Sequence, residues 1–264
     1  VAGFYYDQNE NTTRLFHWAR QGEHAYEMQT IGPAFDGGAN AIALSADGST
    51  IVGQIWLDGS HNEAFRWTEA GGFQTLGLLP DGSDSSAVAV SADGAVVVGY
   101  VNNSPGGELE AFRWTEADGM QSLGLLPDGE WSQATAVNAD GTVVVGMAGN
   151  DQGQEVAFRW TEANGIQPID LLPGTSESHA YVVSANGSAV AGMCQLEGDP
   201  ILYIWTENTG TELLPSVGEE QGFYYGYQIH PRGISDDGSM VVALGENWDS
   251  GPGLVWERGH GWQT

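Results

Sequence analysis

The 264-residue chain sets 35 Asp and Glu against 7 basic residues, all of them Arg, for a net charge of −28 at pH 7. A surface of that sign repels phosphate backbones and anionic membranes, so nucleic acid is excluded as a partner. Cys194 is the single cysteine, which excludes a disulfide framework and a thiolate metal site, and no apolar run is long enough to predict a membrane span.

The first residue is Val rather than Met, which predicts a processed or partial product located outside the cell or at its surface. Residues 1–33 read as an incomplete unit with only a second, third and fourth strand, the third being Leu15-Phe16-His17-Trp18. Five fuller units follow at 34–80, 81–127, 128–173, 174–215 and 216–264. The ruler is tryptophan: Trp18, Trp67, Trp114, Trp160, Trp205 and Trp256 lie 49, 47, 46, 45 and 51 residues apart.

Each unit opens on a run of small and branched residues, as at 87–90 and 134–137. A Ser/Asn-x-Asp/Asn-Gly turn follows, at 45–48, 91–94, 138–141, 184–187 and 235–238. Gly accepts positive φ there, and the acidic or amide side chain bonds to nearby backbone amides. The second strand is a nearly continuous apolar run, at 51–55, 96–101, 143–148 and 240–244, which suits a strand covered on both faces. Gly53, Gly99, Gly146 and Gly192 recur inside it, where a missing side chain lets a neighbour come close. The third strand is Ala-Phe-Arg-Trp at 64–67, 111–114 and 157–160, drifting at 203–205 and 254–256. Hairpin turns starting at Thr68, Thr115 and Thr161 lead to fourth strands at 73–79, 120–126 and 166–172, which Pro80, Pro127 and Pro173 stop, as Pro215 does later.

Gly or Pro breaks every window long enough for a helix, and the apolar spacing is two or continuous. Four antiparallel strands at this period predict an all-β chain: a β-propeller of six four-stranded blades in one domain, 1–264. Ring closure would draw on residues outside this sequence; a seven-bladed ring or an open repeat array is the alternative. Each repeated Trp is expected to wedge between blades. Arg66, Arg113 and Arg159, on the face opposite their Phe and Trp neighbours, are expected in ion pairs with Glu63, Glu110 and Glu155 or in blade-to-blade hydrogen bonds.

The phrases EAFRWTEAGG, LGLLPDG, SAVAVSADG and VVVG resemble the extracellular HAF repeat family over essentially the whole chain, most clearly at 40–192. Glu63-Ala64-Phe65 and Glu110-Ala111-Phe112 match its His/Glu-Ala-Phe core. The resemblance implies a secreted or surface protein of a bacterium or archaeon. The rhythm is also similar to that of WD-repeat blades, although Thr stands where those have Asp after the Trp.

Motifs for chemistry are sparse. Six scattered histidines form no metal-binding spacing, no Gly-x-Ser-x-Gly elbow occurs, and the lack of lysine removes a Walker phosphate site. One carboxylate per turn is too few for calcium, which wants six to eight oxygens. Denser pairs, Asp81 with Asp84 and Glu246 with Asp249, are weak Ca²⁺ candidates, and no other cofactor is expected. Function should enter where the copies differ, in the loops after the second and fourth strands. These carry Asp58, His61, Trp131, His179, Trp248 and an insertion with Phe223, Tyr224, Tyr225 and Tyr227, aromatics suited to a sugar or a protein partner. Three sequons begin at Asn11, Asn102 and Asn186. The expected function is a non-enzymatic exported scaffold for display, adhesion or assembly, meeting proteins, glycans or its own copies at the cell surface. A carbohydrate-binding propeller is the alternative, and a glycan-active hydrolase or lyase the next.

Overall fold

The computed structural model describes residues 2–20, 26–57, 61–103, 108–170, 172–217, 228–246 and 253–263. They form 23 strands in six antiparallel sheets. The first sheet is β1 (Ala2–Asp7), β2 (Thr12–Arg20) and β3 (Tyr26–Phe35). The second is β4 (Ala39–Leu44), β5 (Thr50–Trp56), β6 (Asn62–Thr68) and β7 (Gly72–Thr75). The third is β8 (Gly82–Val90), β9 (Val96–Asn103), β10 (Glu108–Thr115) and β11 (Gly119–Ser122). Next come β12 (Ser132–Val137), β13 (Val143–Gly149), β14 (Glu155–Thr161) and β15 (Gly165–Pro168). β16 (Thr175–Val183), β17 (Ala189–Leu196), β18 (Asp199–Thr206) and β19 (Gly210–Leu213) follow. The sixth sheet is β20 (Gln228–Ile234), β21 (Met240–Glu246), β22 (Gly253–Glu257) and β23 (Gly261–Gln263).

Five sheets thus have the expected four strands and the first has three. The first is the unit at 1–33 read as lacking its first strand, where no first-to-second-strand turn occurs, so six four-stranded blades become five of four strands and one of three. The chain divides into two compact units, Val1–Leu123 with three sheets and Gly124–Thr264 with three. Within each, sheets follow one another in a propeller-like succession. In the second unit the first strands β12, β16 and β20 approach one another.

Local chemistry accounts for the recurrence. Gly48, Gly94, Gly141, Gly187 and Gly238 take φ of 73°, 74°, 74°, 77° and 67°, the left-handed region open to Gly at no steric cost. Every first strand from β4 onward carries a bulge, at Ala41/Ala43, Ala87/Ala89, Ala134/Ala136, Ala180/Ala191's partner Val182, and Pro231/Gly233. The strand bends there and one side chain is left outside the ladder.

The recurring glycine of the second strand lies against this bend. A Cβ on Gly53, Gly99, Gly146 or Gly192 would stand 1.9, 1.9, 2.0 or 2.1 Å from the carbonyl oxygen of Asn40, Ser86, Gln133 or His179. The ring of Phe65, Phe112, Phe158 or Tyr203 covers the same glycine, and all four rings are fully buried. The tryptophans behave differently. Trp114 and Trp256 are buried, Trp67, Trp160 and Trp205 are half-buried, and Trp18 is 42% exposed. Trp114 and Trp256 pack in apolar clusters with residues of the preceding sheet, while the aromatic two residues earlier fills the tight space over glycine, with the indole nearer the strand's end.

There the indole meets an arginine from the preceding sheet. The Arg66 guanidinium lies 5.6 Å from the Trp114 ring centre and that of Arg159 5.7 Å from Trp205, within cation–π range. Arg66 also donates to the carbonyl of Gly94 (3.2 Å) and Arg159 to that of Gly187 (3.3 Å). Arg159 pairs with Glu207 at 3.1 Å rather than with Glu155. Arg113 lies on β10 opposite Val98.

The fourth strands are shorter than predicted, ending at Thr75, Ser122, Pro168 and Leu213. The Leu-rich run beyond each leaves the ladder but keeps one backbone bond to the third strand, as Leu76 to Ala64 (2.8 Å) and Ile169 to Ala157 (2.8 Å). It buries Leu76, Leu79, Leu123, Leu126, Ile169 and Leu214.

Candidate functional site

Of the sequence-predicted surface, Asp58, Phe223, Tyr224, Tyr225, Tyr227 and Trp248 lie outside the described residues, as does Asp249. The Glu246 side chain lies outside them too. His61 precedes β6, its carbonyl accepting from Leu57 N at 3.0 Å. Trp131 lies flat over Gly149, where a Cβ would sit 2.6 Å from Nε1, and its carbonyl accepts from Gly149 N (2.9 Å). Asp81 adopts φ of 66° in the turn before β8. Among the described residues no three His, Cys, Asp or Glu side chains converge to hold a metal ion.

Asp84 stands in a cleft of about 420 Å³ in the first unit, between the second and third sheets. Gln54 and Trp56 reach it from β5, two residues apart on the strand face opposite buried Ile55. Tyr100 and Asn102 reach it from β9 in the same way, opposite buried Val101. Register completes the lining: Asn62 pairs with Trp56, Ser86 with Tyr100 and Asp84 with Asn102.

The carboxylate is fixed. Asp84 Oδ1 accepts from the Asn62 backbone amide (2.8 Å) and Oδ2 from the Ser83 hydroxyl (2.8 Å). The Asn102 amide oxygen, by contrast, is buried with no hydrogen-bond partner. A buried polar atom left in that state costs about 1–3 kcal/mol. Two aromatic rings, three amides and one carboxylate, with no cation lining the cleft, fit a neutral hydroxyl-rich ligand. Trp56, Tyr100, Gln54 and Asn102 escape sequence reading because they sit inside strands that otherwise look like framework. The signal was there: the positions of Gln54 and Trp56 hold Met147 and Gly149 in β13.

In the second unit, His179 joins a different group. Its Nε2 donates to Glu155 Oε2, and its Nδ1 lies 3.3 Å from the Tyr181 hydroxyl. The His230 ring meets Tyr181 edge-on, centres 5.1 Å apart.

No protein-family model and no curated protein sequence matches the chain. The HAF expectation therefore gives way to a coarser statement, carried by solved structures: a propeller-like all-β fold. TolB from Acinetobacter baumannii is similar at a TM-score of 0.58 and 14% identity, over 97% of this chain and 60% of that one. A putative TolB from Agrobacterium tumefaciens reaches 0.59 at 14% identity, over 90% and 83%. An oligogalacturonate lyase in complex with manganese reaches 0.58 at 15%, over 96% and 69%. The chain thus spans 60% of the length of the first of these.

A prolyl endopeptidase and a puromycin hydrolase are similar over 40% and 43% of their chains, at TM-scores of 0.53 and 0.55. The expectation of a non-enzymatic scaffold is overturned on this ground. An architecture that carries a lyase, peptidases and a hydrolase gives no reason to exclude catalysis, since function resides in sites grafted on the fold. Among the described residues no helix is long and apolar enough to cross a membrane.

Proposed function

We propose that the protein is an exported carbohydrate-binding propeller whose ligand seats in the Trp56–Tyr100 cleft. The observation that carries this reading is the lining itself: two aromatic faces beside Gln54, Asn62, Asp84 and Asn102. Aromatic faces stack on the apolar face of a pyranose, while fixed amides and a carboxylate select among its hydroxyls. The strongly acidic composition supports a place outside the cell.

Binding to a glycan array, followed by calorimetry on the best ligand, tests the reading. Truncating an anchoring aromatic costs about 2 kcal/mol, roughly 30-fold in Kd. Trp56→Ala and Tyr100→Ala are each expected to weaken binding by that order with the Tm unchanged. Retained affinity in both variants would remove the cleft from consideration.

A glycan-active enzyme is the second reading. It is favoured by the Glu155–His179–Tyr181 arrangement and by the lyase among the structures of similar fold.

A further inference from the structure

The cleft between the second and third sheets is lined by one charged side chain, Asp84, and the frame of the repeat does not call for it. Asp84 stands three residues before Ala87, where the bulge of β8 begins. At that distance from the bulge the other sheets have Gly38, Trp131, Glu177 and Gln228. Only one of these is acidic, so the ladder does not need a carboxylate there. The next residue shows the contrast. Ser85 and Ser178 make the same bond, each hydroxyl accepting from a third-strand amide of the preceding sheet, Ala64 N at 2.9 Å and Ala157 N at 2.8 Å. Ser85 is framework; Asp84 departs from it.

Asp84 is half-buried, and each of its oxygens takes one bond from a neutral donor, the Asn62 amide and the Ser83 hydroxyl. An ionised carboxylate offers about four acceptor sites, so about two remain. Of the described residues that line the cleft none is Arg or His, and the chain has no Lys. Trp56 pairs with Asn62, whose amide holds Asp84 Oδ1, while Tyr100 pairs with Ser86, two residues from Asp84 on the same strand. The negative charge and the two π faces therefore share one cavity of about 420 Å³. Both attract the same group, a cation, and the carboxylate favours one that carries N–H donors. The net charge of −28 acts in the same direction at longer range, drawing cations in and turning anions away.

We infer that the cleft selects saccharides bearing a free, protonated amino group, the 2-amino-2-deoxyhexosides and their oligomers. The inference rests on the carbohydrate-binding reading and deepens it. A neutral sugar fits the lining, and one in which an ammonium replaces a hydroxyl fits it better, because a full charge then meets Asp84 where a hydroxyl brings only a dipole. The sugar ring stacks on Trp56 and Tyr100, and the Gln54 and Asn62 amides meet its remaining hydroxyls. N-acetylation removes the charge and all but one of the N–H donors, so the acetylated sugar loses the advantage. A sugar carboxylate meets Asp84 as a like charge and is rejected.

Calorimetry on the intact chain compares ligands that differ only at C2: methyl glycosides and 4-linked oligomers of glucose, N-acetylglucosamine and glucosamine, with the galactose series alongside. At low salt an amino sugar is expected to bind about 10-fold or more tightly than its hydroxyl and N-acetyl counterparts. The margin should close as salt screens the pair and as pH rises past the pKa of the ligand's amine. Asp84→Asn removes the charge and keeps the bonds. Its amide oxygen still accepts from Asn62 N, and its amide nitrogen donates to Ser83 Oγ, whose own proton can go to the Asn102 carbonyl 3.1 Å away. This variant is expected to weaken the amino sugar about 10-fold or more, leaving the hydroxyl counterpart and the Tm nearly unchanged. Asp151→Asn removes the same charge from an exposed turn of the second unit and is expected to keep the margin, which separates a local pair from the overall field. Equal affinity across a matched set overturns the inference, as does a margin that survives in Asp84→Asn or falls equally in Asp151→Asn. The two readings fail separately. Glycan binding that Trp56→Ala abolishes, with no preference for the amino sugar, removes this inference and leaves the cleft; binding untouched by Trp56→Ala removes the cleft as well.

Discussion

Asp47 shows how one carboxylate organises a turn. It accepts from the Ser49 amide (2.9 Å) and the Ser45 hydroxyl (2.8 Å), and these bonds, the amide's first, hold its pKa down to about 2. Asp237 is held down to about 2 by Ser239 and Ser235, and Asp140 is lowered chiefly by the Thr142 hydroxyl. A carboxyl depressed in the folded state stabilises that state above its ordinary value of 3.8 and loses the contribution as pH falls through about 2. The Tm is therefore expected to drop across that window. Asn186 makes the same bonds to Ser188 N (2.9 Å) and the Ser184 hydroxyl (2.9 Å) with no proton to gain. The triple change Asp47→Asn, Asp140→Asn, Asp237→Asn should flatten the acid limb of a Tm-against-pH curve and leave the neutral Tm near its starting value. An unaltered acid limb would assign the loss to other carboxylates. These turns were legible because Ser-x-Asp-Gly states its own hydrogen bonds. Trp56 and Tyr100 were not, because nothing in a strand's local pattern says which polar or aromatic residue borders a cleft.

At the level of strands, the point of least tolerance is the second-strand glycine. A methyl at Gly99 would meet the Ser86 carbonyl oxygen at 1.9 Å and the buried Phe112 ring at 3.0 Å. Backbone on one side and a packed ring on the other leave no soft neighbour to yield. Gly99→Ala is expected to cost about 3 kcal/mol, as overpacking of a tight core does, read as a lower urea midpoint at constant m-value. A cost below about 0.5 kcal/mol would show that the β8–β9 pair can slide apart. Second and third strands were readable from β-branched runs and the Ala-Phe-Arg-Trp phrase. The fourth strands were overextended, because the Leu run after Thr75 or Ser122 looks like strand but turns inward to bury leucines. The bulges left no mark either: Ala-Ile-Ala and Ala-Val-Ala read as plain alternation although each holds a residue outside the ladder.

For the molecule as a whole, charge is the dominant variable. Thirty-five acidic side chains against seven Arg make the folded state repel itself, and salt relieves this by shortening the screening length from about 30 Å at 0.01 M to about 3 Å at 1 M. The Tm is expected to rise by several degrees over that range in sodium chloride. A fall would mean that the arginine contacts between sheets outweigh the global repulsion. Fold class was legible at this scale because a period near 47 residues, set by Trp67, Trp114 and Trp160, survives drift in every other position. The candidate site was not, since its residues are departures from the period that only strand register brings side by side, as it does for Trp56 and Asn62. The seam between the second and third sheets is of the same kind as that between the fourth and fifth. Arg66 and Arg159 each reach forward to an indole, and the Ala46 and Ala139 amides each reach forward to the matching alanine carbonyl of the next turn. A copied stretch of gene one repeat long would thus encode a piece that already fits its parent on both sides. Lineages could lengthen or shorten this protein by recombination without inventing a new contact.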